Sequence, residues 1–181
     1  GKTTAFWARC AAGVSFAVGI ALVFSALQMA LCGALYGMDG FAAPLQLWVE
    51  GSFSALHVSM GQLSLILLGL LVLACGMAAV FVMLLSELFG TAIPALVVPF
   101  ALSAASILEL FMGNGRWMEQ AASYLPFFRV SAVTLQDYYL VTLGSLQLNS
   151  IQFSVVLYLL LAGLFGLLYR ICHRRYQVTG R

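Results

Sequence analysis

Three groups of residues in this sequence are of types that could do chemistry. The first is Gly1-Lys2-Thr3-Thr4, which has the form of the end of a phosphate-binding loop. Such a loop needs a strand and a glycine-rich turn before it, so that backbone N–H groups cradle the phosphates, and it must open a soluble helix. Here the residues that follow run straight into an apolar segment, and no later Asp after an apolar strand could hold magnesium. A basic start to a membrane helix is the simpler reading. The second group is Ser15 with His57. Gly13-Val14-Ser15-Phe16 lacks the second glycine of a nucleophile elbow. The two residues also fall at opposite ends of neighbouring apolar runs, roughly 20 Å apart or more at 1.5 Å per residue. They cannot share a proton. The third group is Glu87 and Glu109, which bracket an apolar run. An ionisable group within a membrane is a functional candidate by default, but both of these fall at run ends, where water reaches.

Metal and redox chemistry find no support either. Cys10, Cys32, Cys75 and Cys172 have no CxxC spacing and lie in or beside apolar runs, where cysteine packs as a small apolar residue. His57 and His173 fall on opposite sides and form no metal pair. The expectation is therefore no catalytic residue, no cofactor, no metal site and no enzyme.

The elements that carry these residues are set by composition. Of 181 residues, 63% are hydrophobic and 8% charged, and the mean hydropathy is +1.04. A soluble domain has about 25% charged residues. The few charges cluster between long uncharged runs, as a bilayer demands when a mid-membrane charge costs several kcal/mol. A spanning helix needs about 20 apolar residues. The fold class expected is all-α, a polytopic transmembrane bundle, with spans at about 12–35, 58–85, 91–110 and 151–168. The 181 residues form one transmembrane domain, expected to be a piece of a longer protein cut just before a span.

Several local features refine this. Ser15/Gly19 and Ala17/Ala21 recur at the spacing that lets helices approach closely. Ser86–Gly90, with Glu87, reads as a very short connection. Pro94 suits a first helical turn, whereas Pro99 lies inside the third span and is a candidate kink. The segment 111–150 is too interrupted to span and too apolar for a plain loop. Two short interfacial helices split at Pro126 suit its Trp117, Tyr124, Phe127, Phe128, Tyr138 and Tyr139.

Lysine and arginine set the orientation. With both ends inside, the cytoplasmic side carries Lys2, Arg9, Arg170, Arg174, Arg175 and Arg181, and the outer side only Arg116 and Arg129. The cell membrane is the expected location. Arg174-Arg175 is too small a patch for nucleic acid and suits contact with anionic lipid.

Taken in order, these features resemble the permease subunit of bacterial type-2 ABC transporters, of the kind that export peptide antibiotics or drugs. Gly1-Lys2-Thr3-Thr4-Ala5-Phe6-Trp7-Ala8-Arg9 is similar to the segment leading from the cytoplasmic coupling region into that family's third span. Ala43-Pro44-Leu45-Gln46 with Val58-Ser59-Met60-Gly61-Gln62 is similar to its outer loop and fourth-span start. Leu125-Pro126-Phe127 and the aromatics to Tyr139 resemble its paired outer helices. Tyr169-Arg170 through Arg174-Arg175-Tyr176-Gln177-Val178 is similar to its ending. The resemblance implies six spans, of which this chain holds the last four. It also implies two separate ATPase subunits, a second permease copy or a homologous permease, and a path for an amphipathic cargo. Lys2, Arg9 and Glu87 would then form the cytoplasmic coupling surface. The competing readings are a non-ABC carrier, channel or membrane assembly protein, and a membrane-embedded enzyme, which would need convergent polar groups at one depth.

Overall fold

A computed structural model describes residues 2–47, 57–93, 95–101, 140–143 and 146–179. Three long helices dominate: α1 (Lys2–Tyr36), α2 (Met60–Phe89) and α3 (Ser150–Thr179). Residues 92–93 and 95–101 are also helical. Two 3₁₀ turns, Asp39–Ala42 and Leu45–Leu47, follow α1. Strands β1 (Leu140–Leu143) and β2 (Leu146–Asn149) form an antiparallel pair ahead of α3.

The helix limits follow from local chemistry. No proline interrupts Lys2–Tyr36, and α1 stops where Gly37 takes φ +80 and its N–H donates to the Gly33 carbonyl at 3.0 Å. Ser59 caps α2: its hydroxyl accepts from the Gln62 N–H at 3.2 Å, and the Gln62 side chain accepts from the Ser59 N–H at 3.0 Å. Asn149 does the same for α3, accepting from the Ile151 N–H at 2.7 Å while Gln152 accepts from the Asn149 N–H at 3.2 Å. Both are reciprocal capping boxes that satisfy orphan N–H groups. Ser59→Ala is expected to destabilise α2 by about 1 kcal/mol, read as a lower midpoint when the protein is unfolded with SDS in mixed micelles.

The stretches Phe6–Tyr36, Met60–Phe89 and Ile151–His173 are each long and apolar enough to cross a membrane. Within their most apolar windows only 6%, 17% and 11% of residues are buried inside the chain. Side chains such as Phe16 (71% exposed) therefore present their apolar surface outward, to lipid in a multi-pass membrane protein. Four spans were expected; three helices of spanning length are seen among the described residues.

Several boundaries differ from the sequence reading. The first span was placed at 12–35, yet helix runs from Lys2, so the basic segment carrying Arg9 is itself helical. Ser86–Phe89 is not a connection but the last turn of α2, which ends where Gly90 takes the left-handed conformation (φ +65) and its N–H donates to the Ser86 carbonyl. The last span, placed at 151–168, continues as helix to Thr179, so the arginine-rich tail extends α3. The segment 111–150 was read as interfacial helices, but its final part pairs as a hairpin with Leu143 opposite Leu146. Runs of strand-compatible residues flanking Gly144-Ser145 carry that signal. Residues 102–139, with Glu109, Arg116, Pro126 and Arg129, lie outside the described residues, as does Pro94.

Packing fixes the directions of the helices. Gly13 of α1 meets Met83 of α2, and Phe6 packs with Leu84, so α1 enters beside the end of α2. A Cβ on Gly13 would sit 3.0 Å from the Met83 sulfur, and one on Gly76 would sit 3.8 Å from Val14. Small residues thus bring α1 and α2 together. The expected pair Ser15/Gly19 is not the one used within the chain: Gly19 has open space beside it, whereas Ala21 is buried. Helices α2 and α3 run parallel. Leu63 packs in one cluster with Tyr158, and Ile151 and Val155 lie against it. Further along, Phe81 stacks on Phe165 with centroids 4.8 Å apart, and Glu87 reaches His173.

Candidate functional site

The bundle has two polar ends. At the end where α1 finishes and α2 and α3 start, a strap of chain crosses the helix tips. The Leu45 N–H donates to the Val58 carbonyl at 3.0 Å, and the Met60 N–H to the Ala43 carbonyl at 2.9 Å. Pro44 and Ser59 form the bridge between these bonds. The strap drives Leu45, 1% exposed, into the core with Leu63, Leu70, Ala74, Met77 and Tyr158. The segments Ala43–Gln46 and Val58–Gln62, 11 or more residues apart in sequence, are therefore one structural unit. Outside it the Gln46 amide donates to His57 Nδ1 at 3.3 Å. With Ala42, Pro44, Val58 and Ser59 these side chains line an open recess of about 460 Å³. His57 is thus held as a surface residue of the strap.

At the other end, the start of α1 meets the ends of α2 and α3. His173 Nδ1 lies 2.8 Å from Glu87 Oε1, with the side chains 16% and 24% exposed. The carboxylate accepts, so the ring carries its proton on Nδ1 when Glu87 is ionised. Glu87 stands in the last turn of α2, where the helix dipole disfavours a negative charge. The hydrogen bond from α3 offsets that cost and ties the two helix ends together. Beneath the pair lies an aromatic stack. Phe6 and Tyr169 rings are 4.9 Å apart, Phe6 and His173 5.4 Å, and Tyr169 and His173 6.2 Å. Phe6, Leu84 and Tyr169 are buried, and Cys10, Met83, Phe165 and Cys172 pack around them.

The sequence candidates distribute as follows. Arg9 and Glu87 come to the same end: Arg9 follows Phe6 by one turn, and Phe6 packs with Leu84, three residues before Glu87. Lys2 is the first residue of α1 and belongs to that end by position. Pro99 is elsewhere, half-buried in the helical residues 95–101. Ser15 lies in α1 one residue beyond Val14, which reaches Gly76, about 19 residues along from His57. That separation keeps the two apart by tens of ångströms. Among the described residues no cluster of three His, Cys, Asp or Glu side chains could hold a metal ion.

His173 was missed as the partner of Glu87, and Phe6 and Tyr169 as the rings packed against it. The available signal was the i, i+4 spacing of Tyr169 and His173, which puts both rings on one face of α3. A double-mutant cycle of Glu87→Ala and His173→Ala should give a coupling energy of about 1 kcal/mol, the size expected of a charge-assisted bond discounted for partial exposure. SDS-titrated unfolding of the four proteins measures it.

No family profile, curated protein or solved structure matches this chain.

Proposed function

We propose that this chain is the membrane-spanning permease part of an ATP-driven export system of the ABC type. It provides the path for an amphipathic or peptide cargo, and separate subunits hydrolyse ATP. The observation that carries the reading is the parallel course of α2 and α3. Helix α2 ends beside the start of α1, and α3 begins at the far end, beside Leu45. With both helices in a bilayer, residues 90–149 must cross it an odd number of times. One crossing at about 91–110 gives four spans, with both ends of the chain on one side. Lysine and arginine distribution makes that side the cytoplasm.

The end with Arg9, Glu87 and His173 supports a role in coupling. There the last turn of α2 is joined to α3 by a hydrogen bond, and Phe6 of α1 packs with Leu84 of α2 and against Tyr169 of α3. A push on the Glu87 turn would move three helices together. Such a rigid joint transmits a partner's displacement, whereas a flexible loop would absorb it. The partners are a pair of ATPase subunits, a second permease copy and membrane lipid.

The test is purification of the full-length protein from its native membrane in mild detergent. Recovery of a soluble ATPase in stoichiometric amount, with cargo export lost on ATP depletion, is the expected result. Absence of any ATPase, with transport persisting after ATP depletion, would favour the non-ABC carrier or channel.

A further inference from the structure

We propose that the end of the bundle formed by the start of α1 and the finish of α3 binds anionic phospholipid headgroups through Arg9 and Arg170, and that the Glu87–His173 bond keeps the local carboxylate from competing with them. Arg9 and Arg170 are both exposed, and neither has an ion pair among the described residues. They flank the Phe6–Tyr169 stack, Arg9 one helical turn after Phe6 and Arg170 next to Tyr169. Trp7, 61% exposed and packed edge-on against Phe6 at 5.4 Å, stands beside them. An exposed indole next to guanidinium groups at a helix end is suited to the headgroup layer. Lys2, Arg174 and Arg175 fall at the same end by their places in α1 and α3. The described carboxylate at this end is that of Glu87, and His173 occupies it at 2.8 Å.

Charge complementarity therefore points outward, to an anion supplied by the surroundings. In a bilayer that anion is a lipid phosphate carrying a net negative charge. The guanidinium fork suits a phosphate oxygen pair. The inference rests on the helices lying in a bilayer and needs no ATPase, so its test is independent of the transport reading.

The experiment uses the full chain with Trp48→Phe and Trp117→Phe, so that Trp7 alone fluoresces. The protein is reconstituted in phosphatidylcholine bilayers with either brominated phosphatidylglycerol or brominated phosphatidylcholine, and Trp7 quenching is compared. The expected result is preferential quenching by the anionic lipid, by about five-fold for each arginine engaged. Arg9→Gln with Arg170→Gln should abolish the preference, and the double lysine variant should retain most of it. His173→Ala should lower the preference by releasing Glu87, and adding Glu87→Gln should restore it. Equal quenching by the two lipids, or a preference that survives loss of both arginines, would overturn the assignment. If Glu87→Gln fails to restore the preference in the His173→Ala background, the role given to the pair is wrong.

Discussion

Tyr158→Ala will lower the stability of the bundle by about 3–5 kcal/mol, the range for removing a buried aromatic ring. Tyr158 is 1% exposed and sits where the strap, α2 and α3 meet, in contact with the cluster of Leu45, Leu63, Leu70, Ala74 and Met77. In lipid there is no hydrophobic drive between helices, and close packing has to hold them together. The cavity left by a tyrosine ring would forfeit that packing on three sides at once. The buried Ser154, one turn before it on α3, would line the same void. SDS-titrated unfolding in mixed micelles measures the effect. Tyr158→Phe keeps the ring and should retain most of the stability. An alanine variant within about 1 kcal/mol of the parent would show that the helices do not meet at this residue.

Leu45→Asp should have an effect of similar size by a different route. Leu45 lies on a strap held by two backbone hydrogen bonds, its own N–H donating to the Val58 carbonyl and the Met60 N–H donating to the Ala43 carbonyl, and its side chain is 1% exposed. A carboxylate there enters a cluster made mainly of Leu63, Leu70, Ala74 and Met77, and burying a charge among apolar side chains costs several kcal/mol. The strap is expected to leave its seat, exposing Leu63 and the start of α2. Leu47, two residues on and 75% exposed, gives the control. Leu47→Asp should change stability by no more than about 0.5 kcal/mol. Unfolding midpoints, with limited proteolysis of the 37–59 region as a second reading, separate the two variants. Equal resistance of both to protease would contradict the placement of Leu45.

The contrast between Leu45 and Leu47 shows what a sequence of this kind reveals. Long uncharged runs disclose helices because lipid leaves the backbone no other partner for its N–H and C=O groups. The runs at 12–35 and 151–168 fall within observed helices, and 58–85 does so from Met60 on. The ends were less legible. Polar residues were taken as marking the membrane boundary, but helix geometry continues until a residue stops it. Gly37 does so close to the expected limit, and Gly90 does so a full turn beyond it. The hairpin before α3 was hidden by its aromatic and apolar neighbours, since composition alone does not separate an interfacial helix from a strand pair.

The candidate site was legible only in part. Lys2, Arg9 and Glu87 could be assigned to one side of the membrane by charge counting, and Arg9 and Glu87 do share one end with the start of α1. What charge counting could not give was the partner of Glu87. His173 is 86 residues away, and the pairing depends on α2 and α3 running parallel. No periodicity within either helix encodes that relation. It follows from how the chain returns from the end of α2 to the start of α3, and no residue of either helix reports that. The strap has the same character. Leu45 and Leu47 are two leucines in one short apolar run, and only the backbone bonds to Val58 and from Met60 decide which is buried.

The most direct test of the central claim is the sidedness of the two ends. The four native cysteines are replaced by serine, and single cysteines are placed at Asp39, in the turn between α1 and the strap, and at Thr4 and Arg175, near the start of α1 and the finish of α3. A membrane-impermeant maleimide is then applied to intact cells stripped of their wall. Labelling at position 39 from outside, with positions 4 and 175 labelled only after lysis, is the result this account predicts. Labelling of position 4 or 175 in intact cells, or protection of position 39, would contradict it.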